Sequence, residues 1–191
     1  MSPFPPAPHD WTYAEYARLP DDGNRYEVLD GEVLVTPGPA PKHQHVLGTL
    51  YTLLRAYVEQ QRLGIVFTDV DLLFETGQYL RPDLVYVPES ALRGITDRGV
   101  ELRPGLVVEV LSPTSSSIDR VRKPQRYGDF GVPEYWVLDP VERVAWIWRF
   151  PATGSQPLRE AERMVWKPAG AAYPFRLDVQ DLFRPMFGVG A

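Results

Sequence analysis

Cysteine is absent from the 191 residues, which excludes disulfides, zinc–thiolate sites and thiol nucleophiles. No apolar run approaches the ~18 residues of a membrane span, and no basic, apolar leader with a small-residue cleavage site opens the chain. A cytoplasmic protein with no membrane partner is the resulting expectation. Positive charge is not in excess: the net charge of −5 weighs against a broad nucleic-acid-binding face, although a local basic patch can coexist with it. What is present is core material. Hydrophobic residues make up 44% of the chain, including five Trp, ten Tyr and eight Phe, enough for one sizeable core.

The organisation follows from punctuation and periodicity. Residues 1–24 are proline-rich, with a short helix in "TYAEYARLP" closed by Pro20, and residues 25–191 read as a single domain. In "RYEVLDGEVLVTP" the Asp30-Gly31 pair favours a two-residue hairpin turn. Pairing across it sets Tyr26, Val28, Val33 and Val35 on one face, expected to be core, and Glu27, Leu29, Glu32 and Leu34 on the other. Val46, Leu47, Leu50, Leu53, Leu54, Tyr57 and Val58 recur at three- and four-residue steps, an amphipathic helix expected to end at Gly64. "IVFTDVDLLFE", "YLRPDLVYVP", "GLVVEVLSP", "EYWVLDP" and "VAWIWRF" read as strands, "RYGDFG" as a helix end, and the tail as one further strand and a helical turn. Strands flanked by a long early helix and a shorter late one imply an α/β sandwich around a mixed sheet.

Two acids stand out. Asp83 in "RPDLVYV" and Glu109 in "LVVEVL" lie beside Val/Leu runs with little alternation, the mark of strands covered on both faces, where an unpaired charge is costly. The plainer reading places Asp83 in solvent and pairs Glu109 with an arginine. The sharper one brings both carboxylates together around a hard divalent cation such as Mg²⁺ or Mn²⁺. Clustered carboxylates would repel, so Asp83→Asn would slightly stabilise the metal-free chain. After Glu109, Ser116 stands three residues before Asp119, as in a helix cap, and Asp119, Lys123 and Tyr127 then share a helix face. By itself that face reads as solvated, carrying a salt bridge.

"RPD", then "VVEVLSP", then D-x-x-x-K-x-x-x-Y and "GVPEYWVLDP" together resemble the Uma-two family of putative restriction endonucleases, a branch of the PD-(D/E)XK nuclease superfamily. The likeness runs from about Tyr26 to Pro140 and includes "YEVLDGEV" and "HQHVLG". The resemblance implies a restriction-endonuclease-like α/β core, a mixed sheet flanked by helices, with an N-terminal hairpin and additional C-terminal strands. It implies that Asp83 and Glu109 hold Mg²⁺ or Mn²⁺, helped by the Val110 carbonyl, and that Lys123 completes the catalytic set. The lysine's usual position, two residues past the second acid, is Leu111, so Lys123 stands for one that has moved to the next helix. Pro124 follows it directly and disfavours helix at Lys123. Lys123→Ala is expected to lower cleavage and leave the fold intact.

The remaining candidates rank lower. Glu27 is a third acid more in keeping with solvation, and His43 and His45 at a helix start suit capping or surface exposure better than a metal. Arg120, Arg122 and Arg126 offer phosphate contacts or simple solvent exposure. Trp136, Trp146 and Trp148 alternate as core aromatics do. The expected function is hydrolysis of nucleic-acid phosphodiesters, DNA first, with a homodimer left open. The alternatives are a non-catalytic relative that binds nucleic acid or protein, and a two-carboxylate glycosidase, which explains neither Lys123 nor the apolar strands.

Overall fold

Asp30 and Gly31 both adopt positive φ, 56° and 75°, the pairing a tight hairpin turn requires. They join Arg25–Leu29 (β1) to Glu32–Thr36 (β2) in the register set by Val28 opposite Val33. A side chain at residue 31 would also meet the His9 backbone nitrogen at 2.6 Å. The computed structural model describes Phe4 and residues 8–74, 77–112, 117–150 and 156–184.

Both hairpin faces are covered, which corrects the one-sided expectation. Val28 packs with Trp11, Tyr16, Leu73 and Tyr79, whereas Leu29 and Leu34 enter a different cluster and Val35 is exposed. The N-terminal arm supplies the first cover: Thr12 and Glu15 form a reciprocal capping box on Tyr13–Tyr16 (α1), and Tyr16 donates to Asp71.

The long helix Pro41–Gln60 (α2) begins with proline at its first turn and buries Val46, Leu47, Leu50, Leu54, Tyr57 and Val58, leaving Leu53 exposed. It ends before Gly64, with Arg62 in left-handed conformation. Gly64 instead opens a strand that approaches Val87 too closely for any side chain.

The strands continue as Gly64–Thr68 (β3), Leu72–Phe74 (β4), Gln78–Leu80 (β5), Leu84–Pro88 (β6), Ile95–Thr96 (β7), Gly99–Val100 (β8) and Leu106–Val110 (β9). A widened helical turn, Ile118–Arg122, leads into Lys123–Asp129 (α3). Then come Glu134–Asp139 (β10), Val144–Arg149 (β11), Leu158–Glu160 (β12), Arg163–Trp166 (β13), Phe175–Asp178 (β14) and Val179–Leu182 (α4). The two long predicted runs around Asp83 are thus each broken in two, and β7, β8, β12 and a second tail strand escaped the sequence reading.

One mixed sheet runs β12-β11-β10-β9-β6-β3, with β9 and β10 parallel; a second runs β2-β1-β5-β4-β8-β7. The central strands β6, β9 and β10 of the first sheet are buried on both faces. Leu84, Tyr86, Leu106, Val108 and Val110 meet α2, β13, β14 and α4 on one side. Val85, Val87, Val107 and Tyr135 meet the second sheet and Tyr127 of α3 on the other. This sandwiching explains the unbroken apolar runs of β6 and β9. Among the described residues no helix is long and apolar enough to cross a membrane.

Candidate active site

The register of β6 against β9 brings the two acids together. Leu84 pairs with Val108, so Asp83, just before β6, falls beside Glu109, and its N–H points at Glu109 Oε2, 3.3 Å away. Both share the strand face of Val85 and Val107, toward the second sheet, because residues two apart point the same way.

Asp83 is buried and fully dressed. Oδ1 accepts from Arg25 at 2.7 Å, and Oδ2 accepts from the Val110 N–H at 2.7 Å. His43 Nε2 lies 3.0 Å from Oδ2; a carboxylate only accepts, so this nitrogen carries the hydrogen. Burial pushes the Asp83 carboxyl up, but the His43 hydrogen bond, the Arg25 charge and the Val110 N–H outweigh it and hold the group at about 2.

Lys123 forms the other half. Its ammonium donates to both Glu27 oxygens, at 3.0 and 2.9 Å, and to Glu109 Oε1 at 2.7 Å, with Asp119 Oδ1 at 3.2 Å. All four side chains are buried. Burial alone would lower the lysine pKa; the charges of Glu109, Glu27 and Asp119 reverse that and raise it well above the usual value. For Glu109, burial outweighs the Lys123 charge, and Asp119, Asp83 and Glu27 add to the upward shift.

Pro124 shapes this half. Lys123 is helical, φ −61° and ψ −39°, and its N–H reaches back five residues to Ile118, so the chain widens by one residue just ahead of the proline. The Asp119 carbonyl is fixed by the Tyr135 hydroxyl at 2.8 Å. α3 therefore starts at Lys123. The expected capping residue Ser116 lies outside the described residues.

These groups open onto a pocket of about 220 Å³, lined by Arg25, Glu27, His43, Asp83, Glu109, Val110, Asp119 and Lys123, with Ser112 and the Thr36–Ala40 loop. Asp83, Glu109 and Lys123 are thus gathered at one place. Glu27 and His43 join them, correcting their assignment to solvent: the second sheet folds β1 over the site, and α2 presents its first turn to Asp83. The Asp119-Lys123-Tyr127 face is buried, not solvated; Tyr127 packs on Tyr135 in the second core and does not line the pocket. His45 stays outside, near the Arg184 carbonyl. Leu111 packs against the second core. Arg122 and Arg126 are engaged with the hairpin, through Glu32 at 2.8 Å and Asp30 at 2.6 Å. Trp136 and Trp148 are core, but Trp146 is only partly buried. Arg25 went unnoticed in the sequence; its signal is the two-residue spacing to Glu27, which sets both on one strand face.

The Uma2 family, described as putative restriction endonuclease, matches residues 13–180. The chain belongs to this family. The match extends beyond the segment whose motifs carried the resemblance, taking in α1 and the C-terminal strands of the Uma2 fold. A crystal structure of a putative nuclease belonging to DUF820 from Anabaena variabilis has the same fold. The TM-score is 0.73 at 21% identity, over 89% of this Uma2 chain and 96% of that one. An uncharacterized protein of Synechocystis sp. is 25% identical over 134 residues, 67% of this chain and 74% of its own length. The restriction-endonuclease-like α/β architecture and a nuclease-like function accord with this membership.

Proposed function

We propose that this Uma2-family chain is a Mg²⁺- or Mn²⁺-dependent endonuclease that hydrolyses nucleic-acid phosphodiesters, DNA first. The contact that carries the reading is Lys123 Nζ on Glu109 Oε1 at 2.7 Å, inside the pocket that also holds Asp83. The donor chemistry fits a hard divalent ion. The four carboxylates Glu27, Asp83, Glu109 and Asp119 face two permanent cations, Arg25 and Lys123. Fully ionised, they leave two negative charges uncompensated, the charge of one such ion. Among the described residues no three His, Asp or Glu side chains are arranged to hold a metal by themselves. Asp83, Glu109 and the Val110 carbonyl are the groups that would hold it, with water completing the shell.

Such an ion, when bound, supplies an acidified water and a positive charge for the phosphoryl oxygens. The chain's own groups do the rest. Arg25, His43 and the Val110 N–H fix Asp83 in its ionised form and orientation. Glu27 and Asp119 keep Lys123 charged and aimed at Glu109. From there the ammonium offsets charge growing on the phosphate as the water oxygen bonds to phosphorus and the bond to the leaving oxygen breaks. The leaving oxygen takes up a proton. Cutting both strands of a duplex makes a homodimer, acting in the cytoplasm, part of this proposal.

The test is incubation of the purified chain with single- and double-stranded DNA, and with RNA, in Mg²⁺, Mn²⁺ or EDTA. Cleavage with either ion, absent in EDTA and lost in Glu109→Gln, is expected. No cleavage of DNA or RNA under any of these conditions would leave the non-catalytic binding relative as the reading.

A further inference from the structure

The helical segment that carries Lys123 has two working sides. Asp119 and Lys123 face the active-site pocket, while Arg120, Val121 and Pro124 line a second cavity of about 610 Å³, walled by Trp146, Trp148 and Gln156. Arg120 lies over the Trp146 ring at 4.4 Å and Arg159 at 5.7 Å, so two guanidiniums converge on one indole. Arg159 has an acidic partner, Glu142 at 3.5 Å, so the unmet charge is that of Arg120.

Three further observations point to an anion beside Arg120. The Trp146 Nε1–H is buried and has no hydrogen-bond partner among the described residues, leaving a donor unmet. Arg120 has no carboxylate partner among the described residues, unlike Arg122 and Arg126, which brace the hairpin. Among the described residues no acidic side chain lines the cavity.

We propose that this cavity seats a backbone phosphate of the nucleic-acid strand that crosses the active site, with Arg120 and the Trp146 indole N–H as donors. The inference rests on the nuclease reading. A guanidinium suits a phosphate because its planar donors match two oxygens. The cavity lies across one helix from Lys123, about 10 Å. Successive phosphates of one strand lie about 7 Å apart through space, so that distance is between one and two phosphate steps. A single strand thus spans both sides of the helix, its scissile phosphate at Lys123 and a flanking one at Arg120.

Binding of fluorescein-labelled duplex DNA, followed by anisotropy in EDTA across a salt series, tests this without cleavage. Arg120→Gln is expected to weaken binding roughly 5- to 10-fold and to lower the slope of log affinity against log salt by about 0.9, the share of one phosphate contact. Arg120→Lys should keep the slope. Trp146→Phe keeps the ring but loses the N–H, so it should weaken binding about 3-fold with the slope unchanged. Thermal melts verify that each variant folds. A folded Arg120→Gln with the wild-type slope overturns the proposal, as does a wild-type chain that binds no nucleic acid. A third overturning result is Arg120-dependent quenching of tryptophan fluorescence by inorganic phosphate or a mononucleotide while the DNA slope stays unchanged. That would make the cavity a small-phosphate site. A chain that shows the expected slopes yet cuts nothing with Mg²⁺ upholds this inference and sinks the hydrolytic one.

Discussion

Asp83 and Lys123 line the same pocket and are almost equally buried, at 1% and 2% exposure, but their surroundings are opposite. Asp83 is one anion met by a guanidinium, an imidazole and a backbone N–H. Lys123 is one cation met by three acids. The anion is over-compensated and the cation overdrawn, so the site's negative charge collects beside Glu109, where a divalent ion has most to neutralise. The contrast also separates holding an acid ionised from holding an acid cluster together.

The largest effect should come from the overdrawn side. Lys123→Ala removes the ammonium shared by Glu27, Glu109 and Asp119, and breaking a buried ion network typically costs about 3–5 kcal/mol. Urea unfolding at neutral pH should show a loss of that size, correcting the expectation that the fold is indifferent to this residue. Cleavage by the folded fraction should fall roughly 10²-fold. Full cleavage and unchanged stability together would remove Lys123 from both roles.

Next is the ion itself. Mg²⁺ at about 100 times its dissociation constant should stabilise the chain by about 2.7 kcal/mol, read from melts with and without EDTA. Asp83→Asn should abolish that gain; an unchanged Mg²⁺ response in this variant would place the ion elsewhere.

In EDTA the same Asp83→Asn chain should be less stable by about 1–3 kcal/mol, because an amide must turn an N–H toward Arg25 or toward His43 and Val110. This reverses the expectation drawn from carboxylate repulsion alone, since Asp83 faces donors on both oxygens. The pH dependence has a defined sign. A carboxyl held at about 2, below the ordinary 3.8, stabilises the fold above its ordinary value and loses that contribution as pH falls from about 4 to about 2. The loss is on the order of 2 kcal/mol, and Asp83→Asn should flatten that part of the acid-unfolding curve.

The smallest effect belongs to the hairpin brace. Arg122→Ala breaks a pair with Glu32 whose side chains are 34% and 49% exposed, and solvent screening limits the cost to about 0.5 kcal/mol. A loss above 2 kcal/mol in denaturant melts would mean that the brace positions β1 over the site.

Legibility varied with the range of the signal. Asp30-Gly31 announced its turn because positive φ is a local property, and the α2 stripe announced its core face because a helix repeats its neighbours every turn. Asp83 and Glu109 were legible because strands covered on both faces show apolar runs in which a carboxylate is conspicuous. Glu27 and His43 were misplaced for the complementary reason. Each sits on an element that looks half-exposed alone, and what covers it comes from far along the chain: Lys123 for Glu27, Asp83 for His43. Gly64 was misread because glycine serves both as a helix stop and where backbones approach closely, and nothing nearby tells the two apart.

The hairpin, the long helix and the doubly covered strands with their two conspicuous acids follow from turn chemistry and periodicity within a few residues, whereas Lys123 entered the set through the family resemblance. Which charges share the pocket is set by packing between distant segments. The β6–β9 register, the fold of β1 over the site and the widened turn before Pro124 are long-range choices. They turn a helix face that reads as solvated into a buried cation among three acids, because burial is set by what packs on top and not by the residue itself.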